Sequence, residues 1–241
     1  MLLTAYITVV VAAGGVALWG AGAPDPTVGA LAILFWLLAN LLGEVLWLPA
    51  PQGRGYLSMA NAANFATLLI LPMSEAVVIT ALAGLIADLV FRRRKWFQGA
   101  FNFAACALTV AAASSVFSRA GGSSSNIEGL LSPLNAVPLL LAGVTYFLVN
   151  TWLVSGVVAL EARQSVWHVW RTSFAFSYEL VGAVVLKLLG YLFAILFLTW
   201  GYMSAFLAVI ATYFIRDAYI RYVSQNEPPA SEVRAPDERA A

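Results

Sequence analysis

The chain is apolar along almost its whole length, and this pattern constrains its fold more than any other feature. About eight apolar segments follow one another, each close to the roughly 20 residues that a helix needs to cross a bilayer. They lie at about residues 2–22, 27–48, 56–71, 75–91, 100–118, 136–160, 174–198 and 202–220. The pattern predicts an all-α fold, a polytopic bundle of transmembrane helices.

The charge content agrees with a membrane protein. Only 10% of the 241 residues are charged and 61% are hydrophobic, whereas a soluble domain carries roughly a quarter charged residues. A β-barrel would need alternating strands of about 10 residues, which the sequence lacks. The net charge of +1 leaves no basic footprint for a nucleic-acid partner. The lipid bilayer is therefore the expected surrounding.

Proline- and glycine-rich breakers separate the apolar segments. They are APDP at 23–26, PAPQGRG at 49–55, PMS at 72–74, and the stretch 119–133. Because no soluble domain interrupts the segments, residues 1–222 are expected to form one transmembrane domain. Residues 223–241 are rich in proline and charge, which is typical of a disordered tail. The first segment lacks a basic start, so it is interpreted as an uncleaved helix and not as a signal peptide.

Loop charges predict the orientation of the bundle, because cytoplasmic loops carry an excess of Lys and Arg. The strongest signal is RRRK at 92–95, which places this loop in the cytoplasm. Counting spans from it puts Arg54, Arg163 and Arg171 on the same side, together with both termini. Only Arg119 falls on the outer side.

The third and fourth segments leave two topologies open. Residues 56–71 and 75–91 are short, and a tight turn at Pro72 joins them. They either cross the bilayer fully or form a re-entrant hairpin, which would leave six full spans. In both cases the ends of the pair lie on the cytoplasmic side.

The third segment, GYLSMANAANFATLLILP, carries polar groups at Ser58, Asn61, Asn64 and Thr67. At 100° per residue, the two asparagines are about 60° apart on a helix, so they share a face. Small alanines fill most of the remaining positions. A helix that is polar or small all round does not face lipid, so this segment is expected to be central. Its amides either hydrogen-bond neighbouring helices, at about 0.6 kcal/mol each, or line a ligand cavity.

Other polar groups inside the apolar segments extend this set, and ionisable groups at such depth point to function. The candidate ligand-binding residues are Asn61, Asn64, Glu179, Glu44, Asn102, Asn150 and Lys187. Most of them fall in the predicted cytoplasmic half. Amides would orient a ligand, while Glu179 would counter a cation or donate a hydrogen bond as a neutral acid. Each of them also has a structural alternative, as a partner of neighbouring helices.

The fourth segment has two further patterns. Asp88 precedes Arg92 by four residues, which is the favourable order for an ion pair on a helix. Ala76, Thr80, Gly84 and Asp88 recur every four residues, a small-xxx-small row that lets another helix approach closely. Both patterns favour structural roles for this helix.

Catalytic patterns are missing from the sequence. It contains one histidine, His168, and one cysteine, Cys106. It has no HExxH, no G-x-S-x-G and no glycine-rich phosphate loop. His168 lies between tryptophans in an interfacial turn, which is not typical of a metal ligand. No catalytic residue, metal site or cofactor is expected.

The stretch GLIADLVFRRRKWFQGAFNFAACAL at 84–108 resembles a known family, the multi-span membrane domain upstream of bacterial HD-GYP phosphodiesterase and GGDEF cyclase domains. YFLVNTWLVSGVVAL at 146–160 and the W…WR of 167–171 are similar to the same domain. The resemblance extends over roughly 38–222. It implies a sensory input module in a bacterial cytoplasmic (inner) membrane. Because the sequence shows no HD-GYP or GGDEF motif after it, the resemblance implies that a signal passes to a separate protein.

These observations favour a non-enzymatic membrane module that senses or binds a small ligand or lipid at a polar site in its cytoplasmic half. Two alternatives stay open. One is a transporter or its substrate-binding subunit, and the other is a structural or assembly subunit. The expected partners are a small ligand or lipid, and a separate signalling protein or a second copy of the chain.

Overall fold

The computed structural model of the protein describes residues 1–49, 56–124, 126–175, 178–207, 210–211, 213–214, 217–218 and 221. Side chains are described in these ranges except at 47–49, 56–57, 175 and 178–179. The predicted tail at 223–241 lies outside the described residues, as do positions 208–209, 212, 215–216 and 219–220 of the predicted last segment.

Helices dominate the described chain, as predicted. They are α1 (Leu2–Gly20), α2 (Ala30–Val45), α3 (Ala60–Ile70), α4 (Met73–Ile86), α5 (Trp96–Arg119), α6 (Ile127–Leu131), α7 (Ala136–Ala162), α8 (Val166–Trp170) and α9 (Tyr178–Trp200). π-helical turns follow α4 at Ala87–Phe91 and α8 at Arg171–Ala175. The strands β1 (Trp47–Pro49) and β2 (Tyr56–Ser58) pair antiparallel, with Trp47 opposite Ser58.

Five of the described helical stretches are long and apolar enough to cross a membrane. They are Leu2–Gly20, Met73–Phe91, Trp96–Arg119, Pro133–Ala162 and Leu180–Leu207. The helices α2 and α3 are apolar but shorter. The chain is thus a helical membrane protein, while the count of eight spans stays a prediction.

The two short segments, for which the sequence leaves full spans and a re-entrant hairpin open, form helical arms of unequal length. The first arm, α3, has 11 residues and is about 17 Å long by helical rise. The second, Met73–Phe91, has 19 residues, close to the roughly 30 Å of a hydrocarbon core. By length, only the first arm falls short of the far side.

The helix α3 lies at the centre of the bundle. Ala60 and every residue from Ala63 to Leu69 are buried. The helix packs against α2, α4, α5 and α9, so the buried Asn64 and Thr67 meet protein and not lipid. The peripheral helices instead expose large apolar side chains, such as Val9 on α1 and Val181 on α9.

Glycines set the closest helix contacts around α3. A Cβ at Gly190 of α9 would lie 2.5 Å from the Ala62 carbonyl oxygen. A Cβ at Gly43 of α2 would lie 2.7 Å from the Ala60 Cα. Backbones this close leave no room for a side chain, so both positions require glycine. The small row of α4 is likewise buried at Ala76, Thr80 and Asp88, where α4 packs against α5 and α2.

Candidate functional site

A cluster of charged side chains joins α2, α5 and the end of α4. The Arg92 guanidinium contacts the Glu44 carboxylate at 2.6 Å and the Asp88 carboxylate at 2.8 Å. Arg92 also donates a hydrogen bond to the Glu44 carbonyl oxygen at 2.7 Å. The ion pair that the spacing of Asp88 and Arg92 predicts is therefore present, and Glu44 extends it to a second helix.

Further contacts complete the cluster around the buried Asp88. Its carboxylate accepts a hydrogen bond from Asn102 Nδ2 at 2.5 Å and lies 3.5 Å from Arg94 Nε. The Ser58 hydroxyl donates to Glu44 at 3.5 Å. Two carboxylates thus face two guanidiniums, which balances the charge without an added ion. The inner ion-pair cluster consists of Glu44, Ser58, Asp88, Arg92, Arg94 and Asn102.

The π-helical turn Ala87–Phe91 positions the basic residues of this cluster. It ends with the Arg92 backbone N–H donating to the Ala87 carbonyl oxygen at 2.9 Å. Arg93 then adopts a φ of 51°, and the Arg94 N–H donates to the Asp88 carbonyl oxygen at 2.8 Å. The chain therefore folds back over its own helix end. Single π turns of this kind are frequent at functional sites.

A second polar group lies deeper, around the Tyr146 side chain of α7. Asn64 Nδ2 donates to the Tyr146 hydroxyl at 3.0 Å and lies 3.9 Å from Cys106 Sγ. Lys187 Nζ stands 3.7 Å from the centroid of the Tyr146 ring and 5.6 Å from that of Phe65. The predicted residues Asn64 and Lys187 are thus brought together, although they meet through the tyrosine.

The sequence analysis missed Asn40, which extends this group across α3. Asn40 is fully buried in α2, and its Nδ2 donates to the Trp36 carbonyl oxygen and to the Thr67 hydroxyl, both at 2.7 Å. The signal was available, because an amide within the apolar run FWLLANLL needs a hydrogen-bond partner as much as Asn64 does.

Two buried amide oxygens in this region have no hydrogen-bond partner among the described residues, namely Asn40 Oδ1 and Asn64 Oδ1. Leaving such an acceptor unpaired costs about 1–3 kcal/mol. Buried polar atoms in proteins are nearly always satisfied by protein, water or ligand. The residues Asn40, Asn64, Tyr146 and Lys187 form the central polar site.

The other candidates make no contact with either group that the described part of the chain shows. Asn61 and Asn150 are half-buried, and their side chains make no hydrogen bond within the described part of the chain. Glu179 lies in the first turn of α9, but its side chain is outside the described residues. Its predicted role in countering a cation therefore stays a prediction.

Three tryptophans stack near the end of α7. Trp152, Trp167 and Trp170 have ring centroids 5.5–6.2 Å apart and interplanar angles of 18–27°. The Trp170 indole N–H donates to the Thr151 hydroxyl at 2.9 Å. His168, on the same short helix, is exposed. The stack holds α8 against α7.

Long apolar helices around buried polar groups define the class, an integral membrane domain with a polar interior. A family model for MASE9, a family of membrane-associated sensor domains, matches residues 58–222. The chain belongs to the MASE9 family, and the predicted membrane sensor domain is confirmed. No curated protein and no solved structure matches the chain significantly.

Proposed function

We propose that this MASE9 domain is a non-enzymatic sensor that binds a small ligand or lipid at the central polar site. The observation that carries the proposal is the buried Oδ1 of Asn64, which has no hydrogen-bond partner among the described residues. The amide of Asn64 donates to the Tyr146 hydroxyl, and the Lys187 ammonium lies over the ring of the same tyrosine. An acceptor and a cation at one depth offer a ligand both a hydrogen-bond partner and a charge partner. Asn61, Asn150 and Glu179 would complete the walls of the site.

The central helix α3 connects this site to the inner ion-pair cluster. Asn64 lies in its second turn, and Ser58, just before the helix, hydrogen-bonds to Glu44 of the cluster. A ligand that shifts α3 would change the Ser58–Glu44 contact at the cytoplasmic face. We propose that a separate signalling protein, or a second copy of the chain, reads this change at a bacterial inner membrane.

The direct test is native mass spectrometry of the gently solubilised protein beside its Asn64→Leu variant. We expect a defined small-molecule adduct on the wild type that the variant loses, because leucine removes both the unpaired oxygen and the bond to Tyr146. Thr109→Val is the matched control, since the one hydrogen bond that the described chain shows for the buried Thr109 hydroxyl lies within its own helix, to the Ala105 carbonyl oxygen. The Thr109→Val variant should keep the adduct that the wild type carries. Bare wild-type protein that instead co-purifies with another protein would support an assembly subunit.

The orientation is a second prediction of this proposal. In a Cys106→Ala background, a membrane-impermeant maleimide applied to intact cells should label Glu128→Cys and spare Lys95→Cys. Both positions are exposed, and they belong to loops that the charge pattern assigns to opposite sides. After the cells are permeabilised, both should react. Labelling of Lys95→Cys in intact cells would reverse the topology and put the inner ion-pair cluster outside.

A further inference from the structure

A cleft of about 670 Å³ lies between α7 and α9, which is within the roughly 300–1,000 Å³ of typical ligand sites. Most of its lining is apolar, and Lys187 is its one charged side chain within the described part of the chain. Along α9 the cleft extends from Leu180 to Tyr191, about 17 Å by helical rise. Its length and lining suit an extended hydrocarbon chain.

The rim of the cleft is exposed and apolar, so in a bilayer the cleft would open toward lipid. Its rim carries Leu140 and Val144 of α7, and Val184 and Leu188 of α9, all of which are exposed. The two helices make their main contacts elsewhere, α7 with α5 and α9 with α3. A ligand would therefore enter sideways from the acyl chains of the bilayer.

Lys187 gives the cleft a defined chemistry. Its ammonium lies over the Tyr146 ring, which stabilises a cation but accepts none of its three N–H donors as an oxygen would. No carboxylate in the described part of the chain forms an ion pair with it. Glu179 begins about 12 Å away along α9, more than two helical turns. Lys187 itself lies about 14 Å from the start of α9, near the middle of a bilayer.

From this geometry, and resting on the proposed function, we propose that the cleft binds a single-chain carboxylate amphiphile of the fatty-acid class. Its carboxylate pairs with Lys187, and its chain lies along the apolar walls. A headgroup phosphate is a poorer match, because a two-chain phospholipid keeps its phosphate at the interface, far from mid-depth. A carboxylic acid can also reach this depth as a neutral molecule, which is far less costly to desolvate than an anion.

The test is the binding of palmitic acid, compared with hexadecanol, to the purified full chain. Wild type should bind palmitic acid about tenfold more tightly than the neutral alcohol of equal chain length. Lys187→Met should reduce palmitate affinity to that of hexadecanol, while Lys187→Arg keeps the preference. Equal binding of the two ligands by wild type, or an unchanged preference in Lys187→Met, would overturn the proposal.

The cleft is tested separately through Gly143, where a Cβ would lie 3.8 Å from Lys187 Cγ and 4.0 Å from Phe65 Cζ. Gly143→Leu should fill the cleft and abolish binding of both ligands, whereas Gly143→Ala fits at ordinary contact and should bind as wild type does. If Gly143→Leu instead changes the oligomeric state and leaves palmitate binding intact, a second copy occupies the cleft and the proposal fails. An adduct lost in Asn64→Leu but indifferent to Lys187 would retain the sensor function and reject the fatty acid.

Discussion

Replacing Arg92 with methionine is expected to lower the free energy of unfolding by about 3–5 kcal/mol, as breaking a buried ion pair does. The Asp88 side chain is 1% exposed and that of Glu44 is 15% exposed, so water cannot replace the lost guanidinium well. The variant would also leave the Glu44 carbonyl oxygen without its hydrogen bond from Arg92. Within the described part of the chain, Asp88 would then keep Arg94 and Asn102 as side-chain partners, while Glu44 would face Asp88 without its cation.

The measurement is reversible unfolding of the purified protein in mixed micelles, with Arg93→Met as the matched control. Arg93 is the next residue, is exposed, and loses the same charge in the same substitution. Because it makes no ion pair within the described chain, we expect a change within about 0.5 kcal/mol. Equal losses at the two positions would mean that loop charge, and not the cluster, stabilises the bundle.

A double-mutant cycle separates the Arg92–Glu44 contact from the rest of the inner ion-pair cluster. Glu44→Gln removes the charge that Arg92 neutralises across helices, so Arg92→Met in that background should cost less than in the wild type. The difference is the coupling between the two side chains, expected at about 0.5–3 kcal/mol for groups in one network. Additive losses would show that the 2.6 Å contact contributes no stability of its own.

The inner ion-pair cluster shows which contacts a sequence can predict. Asp88 and Arg92 are one helical turn apart, so their pairing follows from local geometry. The contact of Arg92 with Glu44 joins residues 48 positions apart, and no spacing rule predicts it. The sequence predicts Glu44 and Asn102 as site residues because each is a polar side chain within an apolar segment. They meet because α2 and α5 pack around Asp88.

In the central polar site, too, the sequence predicts some features and not others. That α3 is enclosed follows from its alanines and amides, since lipid does not solvate such a surface. That Asn64 meets Tyr146 does not follow, because the two are 82 residues apart. Asn40 makes one local bond, to Trp36 four residues earlier, and one distant bond, to Thr67. Its local bond was predictable, and its place beside α3 was not.

The lengths of α2 and α3 differ from expectation for a specific reason. Apolar composition continues through Leu48 and resumes at Tyr56, so both segments were predicted to extend that far. In the structure these flanks pair with each other as β1 and β2, which ends α2 at Val45 and delays the start of α3 to Ala60. Hydropathy does not distinguish an apolar strand from the end of an apolar helix.

Replacing Gly190 with valine is expected to separate α9 from α3 and to destabilise the bundle by about 1–3 kcal/mol or more, as overpacking does. The new Cβ would lie 2.5 Å from the Ala62 carbonyl oxygen and 3.0 Å from the Phe65 Cβ. The nearest obstacle is backbone, which no rotamer change can move. Gly190 is also less than a turn from Lys187, so ligand binding at the central polar site should fall together with stability.

Three companion variants isolate the effect of the new Cβ. In a helix, Gly→Ala by itself stabilises by about 0.5–1 kcal/mol, yet Gly190→Ala already carries the obstructing Cβ and should destabilise. Gly15 of α1 has no atom within 4 Å of its ideal Cβ, so Gly15→Ala should raise the free energy of unfolding by this intrinsic amount. Gly15→Ala and Gly15→Val should both leave ligand binding close to wild type. If Gly190→Ala is as stable as the wild type, then α3 and α9 can move apart without loss. The central polar site would in that case not depend on their close contact. The proposal that a ligand beside Lys187 shifts α3 and thereby changes the inner ion-pair cluster would lose its support.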